Sequence, residues 1–341
     1  MQKGYIEFEN PPYIISAASV VGKHEYDGPL GEKFDLHDPD GTFGQKSWEQ
    51  AEAEMQRSAI GMALAKAHMN QSDIDALFSG DLINQCICSA QGTLCFDIPY
   101  FGLYGACSTA AEALILSSML ISGGIYNTAV AAASSHNSTA ERQFRFPLEY
   151  GGQRTPTSQW TVTGAGAFVV SSNTSIAGDT DPGIIYPKIK GVMPGRSVER
   201  GICDANNMGA AMAPAAIDTL VRYFKQTSTS PQNYDLIATG DLGKEGHSIV
   251  RELMSEEGYD MGAGYTDCGL MIYDLDRQDM HSGASGCGCS ATVLAAELLE
   301  RIKRGELHDI LILGTGALMN PMSVGQGQSI PGIAHLVRIQ G

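Results

Sequence analysis

The stretch YGACSTAA, Tyr104 to Ala111, places a cysteine where a strand-like run meets a helix-like run. The strand-like run is Ile98–Leu103, and the helix-like run continues to Ile121, before two glycines. A cysteine at such a turn directs its sulfur toward the first free backbone N–H groups of the helix, which lowers a thiol pKa. The pattern therefore predicts a reactive thiolate at Cys107. The alternative, a buried and inert cysteine packed at a helix start, stays open at this stage.

The composition predicts a globular protein with a large core. The chain has 341 residues, of which 43% are hydrophobic and 18% charged, enough for one large domain or two of ordinary size. Its net charge is −16 and it has no cluster of Lys and Arg, which disfavours nucleic acid and anionic lipid surfaces as partners. No apolar run approaches the roughly 18 residues of a membrane span. The first residues lack the build of a signal peptide, so we expect synthesis in the cytoplasm.

The cysteines do not indicate a disulfide framework or a metal site. The chain has eight, at Cys86, Cys88, Cys95, Cys107, Cys203, Cys268, Cys287 and Cys289. Disulfides are rare in a chain of cytosolic character. The two Cys-x-Cys pairs lack the two-residue spacer of zinc sites, and neither is followed by paired histidines. We therefore predict no metal and no cofactor.

The chain repeats itself. The segments 73–82 and 233–242 both end in Gly-Asp-Leu, and the triplets start at Gly80 and Gly240. GACS at 105–108 is echoed by GCS at 288–290, each at the head of a helix-like segment. Each of these segments leads through a glycine turn to a short apolar strand, at 128–133 and at 309–313. A chance similarity between two α/β segments is the alternative explanation.

This order of elements predicts an α/β fold made of two similar halves, residues 1–175 and 176–341. Short strands that are apolar on both faces belong in a mostly parallel sheet covered by helices on both sides. A pocket is expected where the halves meet. The polar and aromatic insertion at 136–160 has no counterpart in the second half, and we predict that it is a functional loop.

A duplicated α/β chain with a cysteine on the helix-opening turn of its first half resembles the thiolase and ketoacyl-synthase superfamily. The resemblance covers essentially the whole chain. It implies a thiolase-like, duplicated αβαβα layered fold and a homodimer built through the first half.

A closer resemblance is to the stage V sporulation protein AD family. Each string that carries it is weak alone, but their shared order along the chain is specific. The strings are Asp27–Gly31, Gln45–Glu49, Gly80–Gln85, Gly105–Thr109, Ser134–Asn137, Gln143–Arg145, Glu149–Gln153 and Met212–Ala216.

This resemblance implies a function in endospore-forming bacteria. Members of the family bind dipicolinic acid (pyridine-2,6-dicarboxylate) and take part in loading it into the developing spore. The implied partners are dipicolinic acid, free or as its calcium chelate, and membrane proteins of the same spore transport system. The implied location is peripheral, at the spore inner membrane.

The residues that a thiolase-type enzyme needs beside its cysteine are missing from the expected places. Condensation requires His, Asn or Cys groups that move protons and polarise the acyl carbonyl. The segment 241–246 has neither His nor Asn, 281–286 lacks a Gly-His-Pro turn, and 314–317 has no Cys. We therefore predict a non-catalytic binding protein. The alternatives are an active acyltransferase or condensing enzyme using Cys107 with His247 or His281, and a purely structural subunit of the channel complex.

A site for a flat dianion needs donors for two carboxylates and apolar cover for the ring. The backbone N–H groups at the start of the Cys107 helix are one candidate anion seat. Arginine is the natural bidentate partner of a carboxylate, and Arg145 between two phenylalanines is our first choice in the insertion. The predicted site residues are Cys107, His136, Asn137, Arg145, Asp81, Asn84, Gln153 and Glu149.

Several of these residues have an open alternative. His136 either reaches the pocket or is a structural histidine at a strand end, and Asn137 either donates to a carboxylate or caps the turn. Asp81 would repel a dianion unless it is protonated or bridged by a cation, so it serves equally well to orient Asn84 or an arginine. A calcium chelate would tolerate Asp81 or Glu149 nearby.

Overall fold

The computed structural model of the protein describes residues 4–145, 154–175 and 184–341. Its strands are β1 (Ile6–Glu7), β2 (Tyr13–Val21), β3 (Leu36–His37), β4 (Ala76–Gly80), β5 (Tyr100–Leu103), β6 (Thr128–Ser135), β7 (Trp160–Thr161), β8 (Gly164–Ser171), β9 (Lys188–Met193), β10 (Leu236–Thr239), β11 (Tyr265–Asp267), β12 (Ala284–Ser285), β13 (Asp309–Ala317) and β14 (Gly332–Gln340). Its helices are α1 (Lys23–Tyr26), α2 (Trp48–Lys66), α3 (Ile87–Gly92), α4 (Thr109–Ser122), α5 (Asn137–Phe144), α6 (Met208–Thr227), α7 (Gly243–Glu256), α8 (Cys268–Met271), α9 (Cys287–Val293), α10 (Leu299–Lys303) and α11 (Pro321–Gly325). A π-helical stretch, Leu294–Leu298, joins α9 to α10.

The two halves share one strand order. The first half runs β5-β4-β6-β8-β2 across the sheet, and the second runs β11-β10-β13-β14-β9. When only these five strands of each half are numbered along the chain, both orders are third, second, fourth, fifth and first. The predicted duplicated α/β fold is therefore confirmed. The predicted boundary at 175/176 lies beside residues outside the described ranges and stays a prediction.

The expectation of mostly parallel sheets is wrong, because each half is mixed. β4 pairs in parallel with β5 and β6, and β10 does so with β11 and β13. The fifth strand of each half instead runs antiparallel to the fourth. An antiparallel neighbour needs no crossover helix, so the helix-strand alternation that predicts parallel pairing stops at the fourth strand.

The helices form three layers around the two half-sheets. α4 packs on its own β4 and β6 and also on β13 and β14 of the other half, while α9 packs on β6 and β8. These two helices, which carry Cys107 and Cys287 at their N-terminal ends, form the central layer. α2 covers the outer face of the first half-sheet, and α6 covers that of the second. Together they give the αβαβα order.

Glycines on β13 let the central layer come close. A Cβ at Gly316 would lie 2.6 Å from the carbonyl oxygen of Gly105, and one at Gly314 would lie 2.5 Å from the Cβ of Ala111. The start of α4 therefore rests directly on the backbone of the second half. Among the described residues, no helix combines the length and hydrophobicity needed to cross a bilayer.

Candidate functional site

The turn that carries Cys107 is held by its own polar side chains. Ser108 Oγ donates to the carbonyl of Gly105 at 2.6 Å, and Thr109 Oγ1 donates to that of Ala106 at 2.7 Å. Ala106 has φ of 51°, in the left-handed region that non-glycine residues rarely occupy. Such strain persists only where the surrounding structure imposes it, and it is common at functional sites. The turn buries Cys107, which is 6% exposed.

Of the two interpretations of Cys107 that the sequence leaves open, the structure favours the buried thiol over the reactive thiolate. Burial raises the pKa of this thiol well above its usual range, and the nearby carboxyl of Asp241 raises it further, whereas the Gly286 N–H lowers it. The favourable effect of the helix start is outweighed because the sulfur is removed from water and faces a carboxylate. Cys107 is therefore a neutral thiol that donates to Asp241.

The carboxyl group of Asp241 is the hydrogen-bond partner of the Cys107 thiol. Its carboxylate accepts hydrogen bonds from Gly286 N–H and from the Thr315 hydroxyl, each at 2.8 Å. It also accepts from Cys107, and burial raises its pKa to about 6. Asp241 thus joins the Cys107 turn to two segments of the second half.

A cavity of about 540 Å³ opens in front of Cys107, between the two halves. A short parallel pairing of β7 with β12 brings Thr161 opposite Ser285, and both line this cavity. We call it the main cavity. Its lining residues are Leu82, Tyr104, Ala106, Cys107, Ala140, Glu141, Phe144, Arg145, Arg154, Thr155, Thr161, Ala205, Asn206, Met208, Ser285, Ala317 and Met319.

Three charged side chains line the otherwise mostly apolar wall. Arg145 donates to the Gln159 carbonyl at 3.0 Å, and its Nε lies 3.4 Å from Oε2 of Glu141. Arg154 donates to the Asp279 carbonyl at 2.6 Å. Burial raises the pKa of Glu141, and the two arginines oppose this shift. The described lining therefore carries two guanidinium groups and one carboxyl group.

Arg154 is anchored from outside the cavity. Its second nitrogen pairs with the carboxylate of Asp279 at 2.5 Å, and its guanidinium carbon lies 5.3 Å from the ring centre of Trp160. The Asp279 side chain is 73% exposed. The Trp160 ring and the Asp279 carboxylate therefore hold the Arg154 guanidinium in place at the edge of the cavity.

Of the predicted site residues, Cys107 and Arg145 line the main cavity. Asn84 lines a neighbouring cavity of about 300 Å³ that shares Tyr104, Phe144 and Met319 with the main one. Its backbone N–H donates to the Gln143 side chain at 2.9 Å. Glu149 and Gln153 lie outside the described residues.

His136 and Asn137 do not line the main cavity. They line a separate cavity of about 220 Å³. His136 Nε2 is 2.8 Å from the Gly41 carbonyl, and its Nδ1 accepts from Ser138 N–H at 3.1 Å, which caps α5. Burial lowers its pKa, which favours the neutral ring. This arrangement matches the structural role that the sequence left open for His136.

Asp81 lies beneath the site and not in it. Its carboxylate accepts from the backbone N–H groups of Ile83 at 2.8 Å and Ser89 at 2.7 Å, and so shapes the loop that carries Asn84. One oxygen of Asp81 lies within 4.8 Å of ligand atoms of Glu52 and Cys88. Burial raises the pKa of Asp81, so the group resembles a proton-sharing cluster more than an anion seat.

The list of predicted site residues does not include Asp241, Glu141 or Arg154. Asp241 had a signal, because it belongs to the repeated Gly-Asp-Leu triplet and so ends a strand where pocket residues collect. Glu141 also had one, because it lies four residues before Arg145 on a helical segment. Arg154 had only its place in the insertion.

The two candidate histidines of an active enzyme lie elsewhere. The His247 ring stacks on Tyr265 with centroids 4.5 Å apart. His281 bonds the Thr155 carbonyl through Nδ1 at 2.7 Å and approaches Asp279 through Nε2 at 3.2 Å. Neither is among the described residues that line the main cavity.

Solved structures with a similar fold include thiolase-like ketoacyl synthases. 3-Oxoacyl-[acyl-carrier-protein] synthase III from Aquifex aeolicus matches with a TM-score of 0.55 and 13% identity, over 97% of this chain and 100% of that one. Cerulenin-bound OleA from Xanthomonas campestris matches with a TM-score of 0.61 and 14% identity, over 98% of each chain. At 13–14% identity, this likeness shows that the chain has a thiolase-like fold and nothing about its activity.

The sequence comparisons place the chain more narrowly. The family described as stage V sporulation protein AD matches residues 2–340. Stage V sporulation protein AD from Bacillus subtilis is 42% identical over 328 residues, which cover 96% of this chain and 94% of that one. The chain belongs to the stage V sporulation protein AD family.

Proposed function

We propose that this chain is a non-catalytic binding protein that captures dipicolinic acid in the main cavity for uptake into the developing endospore. The family supports a role in sporulation. The observation that carries the ligand is the pair Arg145 and Arg154 in the wall of a mostly apolar cavity. Dipicolinic acid has two carboxylates on a flat ring, and such a wall offers a fork-shaped donor for each and apolar cover for the ring.

The cavity also suits this ligand in size and local charge. Its volume of about 540 Å³ falls within the range of small-molecule sites. Cys107 is a neutral thiol, so the innermost wall does not add a negative charge beside the ligand. The small side chains of Cys107 and Ala106 leave space for the ring.

The same thiol supports a non-catalytic role. An acyltransferase or condensing enzyme needs a thiolate and a base that accepts its proton. Here the partner of Cys107 is a buried carboxyl, and no histidine is among the described residues lining the cavity. Stoichiometric acylation of Cys107 by an acyl-CoA, followed by turnover, would establish the enzyme instead.

We also propose a homodimer through the edge of the first half. β5 ends the sheet there and pairs with β4 on one side only among the described strands. Phe101 on this strand is 45% exposed, Tyr104 beside it 44%, and Leu94 nearby 82%. An unpaired edge with exposed apolar side chains is an association surface. Membrane proteins of the spore transport system, at the spore inner membrane, are the proposed recipients of the ligand.

The binding proposal is tested by calorimetric titration of the chain and two cavity variants with dipicolinate. Arg145→Ala and Arg154→Ala should each weaken binding by about tenfold or more, because each removes a charge-assisted bidentate donor. Arg57→Ala is the matched control, since the half-exposed Arg57 pairs with Glu54 within α2 and does not line the cavity. Equal affinity in all four proteins would contradict the proposed site. No binding by the wild type would favour a structural subunit.

A further inference from the structure

Glu141 is the one carboxyl group among the described residues that line the main cavity. It lies on α5, one helical turn before Arg145, and the backbone N–H of Arg145 donates to the Glu141 carbonyl at 2.9 Å. This spacing brings the two side chains to the same face, with Oε2 3.4 Å from Nε. Glu141 is therefore the ionic partner beside the guanidinium that an incoming carboxylate would use.

The pair is shielded from water. The side chains of Arg145 and Glu141 are 14% and 22% exposed. An ion pair in such a place is screened less than a surface pair, so its loss or replacement changes binding measurably. Among the described residues, the charged groups that act on Glu141 are Arg145 and Arg154.

We propose that Glu141 is a resident competitor that holds Arg145 until a dicarboxylate ligand displaces it, and so sets the affinity of the site. The inference rests on the proposed function for the identity of the ligand. A carboxylate entering the cavity replaces Glu141 as the ionic partner of Arg145, and Glu141 then either accepts a proton or turns away. Burial already raises the pKa of Glu141, which makes protonation accessible.

Arg154 provides the contrast. Its acidic partner Asp279 lies on the solvent side and does not line the cavity. Asp279 therefore positions Arg154 without competing for the ligand. Neutralising the two carboxylates should shift affinity in opposite directions.

The experiment is calorimetric titration of wild type, Glu141→Gln and Asp279→Asn with dipicolinate between pH 5.5 and 8. Glu141→Gln should bind about fivefold more tightly than wild type at pH 8, because the competing charge is gone. Its advantage should shrink toward pH 5.5, where the wild-type carboxyl is protonated more often. Comparing the two proteins at each pH cancels the titration of the ligand itself. Asp279→Asn should bind more weakly than wild type.

Glu54→Gln is the control, because Glu54 also forms an ion pair within one helix, with Arg57 on α2, but does not line the main cavity. It should bind as wild type does. Unchanged or weaker binding by a folded Glu141→Gln protein, shown by an unaltered melting temperature, would overturn the inference.

A second measurement needs no ligand. Phenylglyoxal modifies free guanidinium groups, and peptide mass spectrometry reports the rate at Arg145 separately from other arginines. Glu141→Gln should raise the rate at Arg145 severalfold and leave the rate at Arg57 unchanged. An equal rate at Arg145 in the two proteins would overturn the inference. If Glu141→Gln speeds labelling of Arg145 but the wild-type protein binds no dipicolinate, Glu141 does shield Arg145 and dipicolinic acid is not the ligand.

Discussion

Cys107 lies at a point where two electrostatic effects oppose each other. The start of α4 favours a thiolate, as the sequence suggested. Burial and the carboxyl of Asp241 favour the thiol, and they prevail. Loss of water costs an ionised group several kcal/mol, whereas a helix terminus contributes about 0.3–1 kcal/mol. At Cys107 the balance of these effects therefore favours the neutral thiol.

The charge of Asp241 helps to keep Cys107 protonated. Asp241→Asn removes the charge that opposes ionisation of Cys107 and keeps the shape of the side chain, so the pKa of Cys107 should fall. Iodoacetamide labelling at pH 7.5, followed by peptide mass spectrometry, should then modify Cys107 several times faster than in wild type. Asp218→Asn, which removes a partner of Arg222 on α6, serves as control. An unchanged labelling rate in the Asp241→Asn protein would contradict the assigned role of Asp241.

At the scale of elements, α5 explains why the site residues could be predicted only in part. The Cys107 turn, the α4 helix and the strand-ending Gly-Asp-Leu triplets follow from local patterns and lie where expected. Within the insertion, His136 at the start of α5 borders one cavity while Arg145 at its end borders another. The sequence does not distinguish these cavities, because residues at the two ends of a helix point in different directions. The other residues that line each cavity come from distant segments of the chain. Asp241 is such a neighbour.

The close contact of β13 with the Cys107 turn gives a prediction for stability. Gly316→Ala would put a Cβ 2.6 Å from the Gly105 carbonyl oxygen, so the turn or the strand must shift. We expect a loss of about 1–3 kcal/mol in the free energy of unfolding, as is typical of overpacking. Chemical denaturation measures it.

Gly61→Ala is the control for this substitution. Gly61 lies within α2, and its added Cβ would meet nothing within 4 Å. Alanine favours a helix interior over glycine by about 1 kcal/mol, so this variant should be as stable as wild type or more so. If Gly316→Ala matched Gly61→Ala, the contact would not constrain the turn.

The whole molecule repeats one five-strand plan, and this level was the most predictable. The repeated triplets and the two helix-opening cysteine segments suffice to predict two similar halves. The alternation of helices and strands in the sequence did not predict the mixed strand directions. These directions arise because the fifth strand of each half pairs antiparallel with the fourth. Packing helices on both faces of the sheets also buries carboxyl groups, including Glu52 on α2 and Asp267 at the end of β11.

These buried carboxyls make stability depend on pH. Burial raises the pKa of Glu52 to about 8 and that of Asp267 to about 7. Each group keeps its proton in the native state over a range where the unfolded chain has lost it. The stabilising contribution of Glu52 is therefore fully present below its unfolded-state pKa of about 4.5. It is lost as the pH rises through its native-state pKa of about 8.

The free energy of unfolding should accordingly be larger at pH 5.5 than at pH 8. Each retained proton contributes up to about 1.4 kcal/mol per pH unit. Glu52→Gln, which resembles the protonated side chain, should flatten the dependence, and Glu54→Gln, at a partly exposed position of the same helix, should not. Denaturation series at several pH values measure the slopes. A Glu52→Gln protein with the wild-type slope would show that Glu52 does not retain its proton.

The central claim is that the main cavity beside Cys107 holds dipicolinic acid. Calorimetric titration of the wild-type chain with dipicolinate, with and without calcium, tests it most directly. We predict saturable binding of one ligand per chain, which Arg145→Ala weakens. No heat of binding in either condition would contradict the claim.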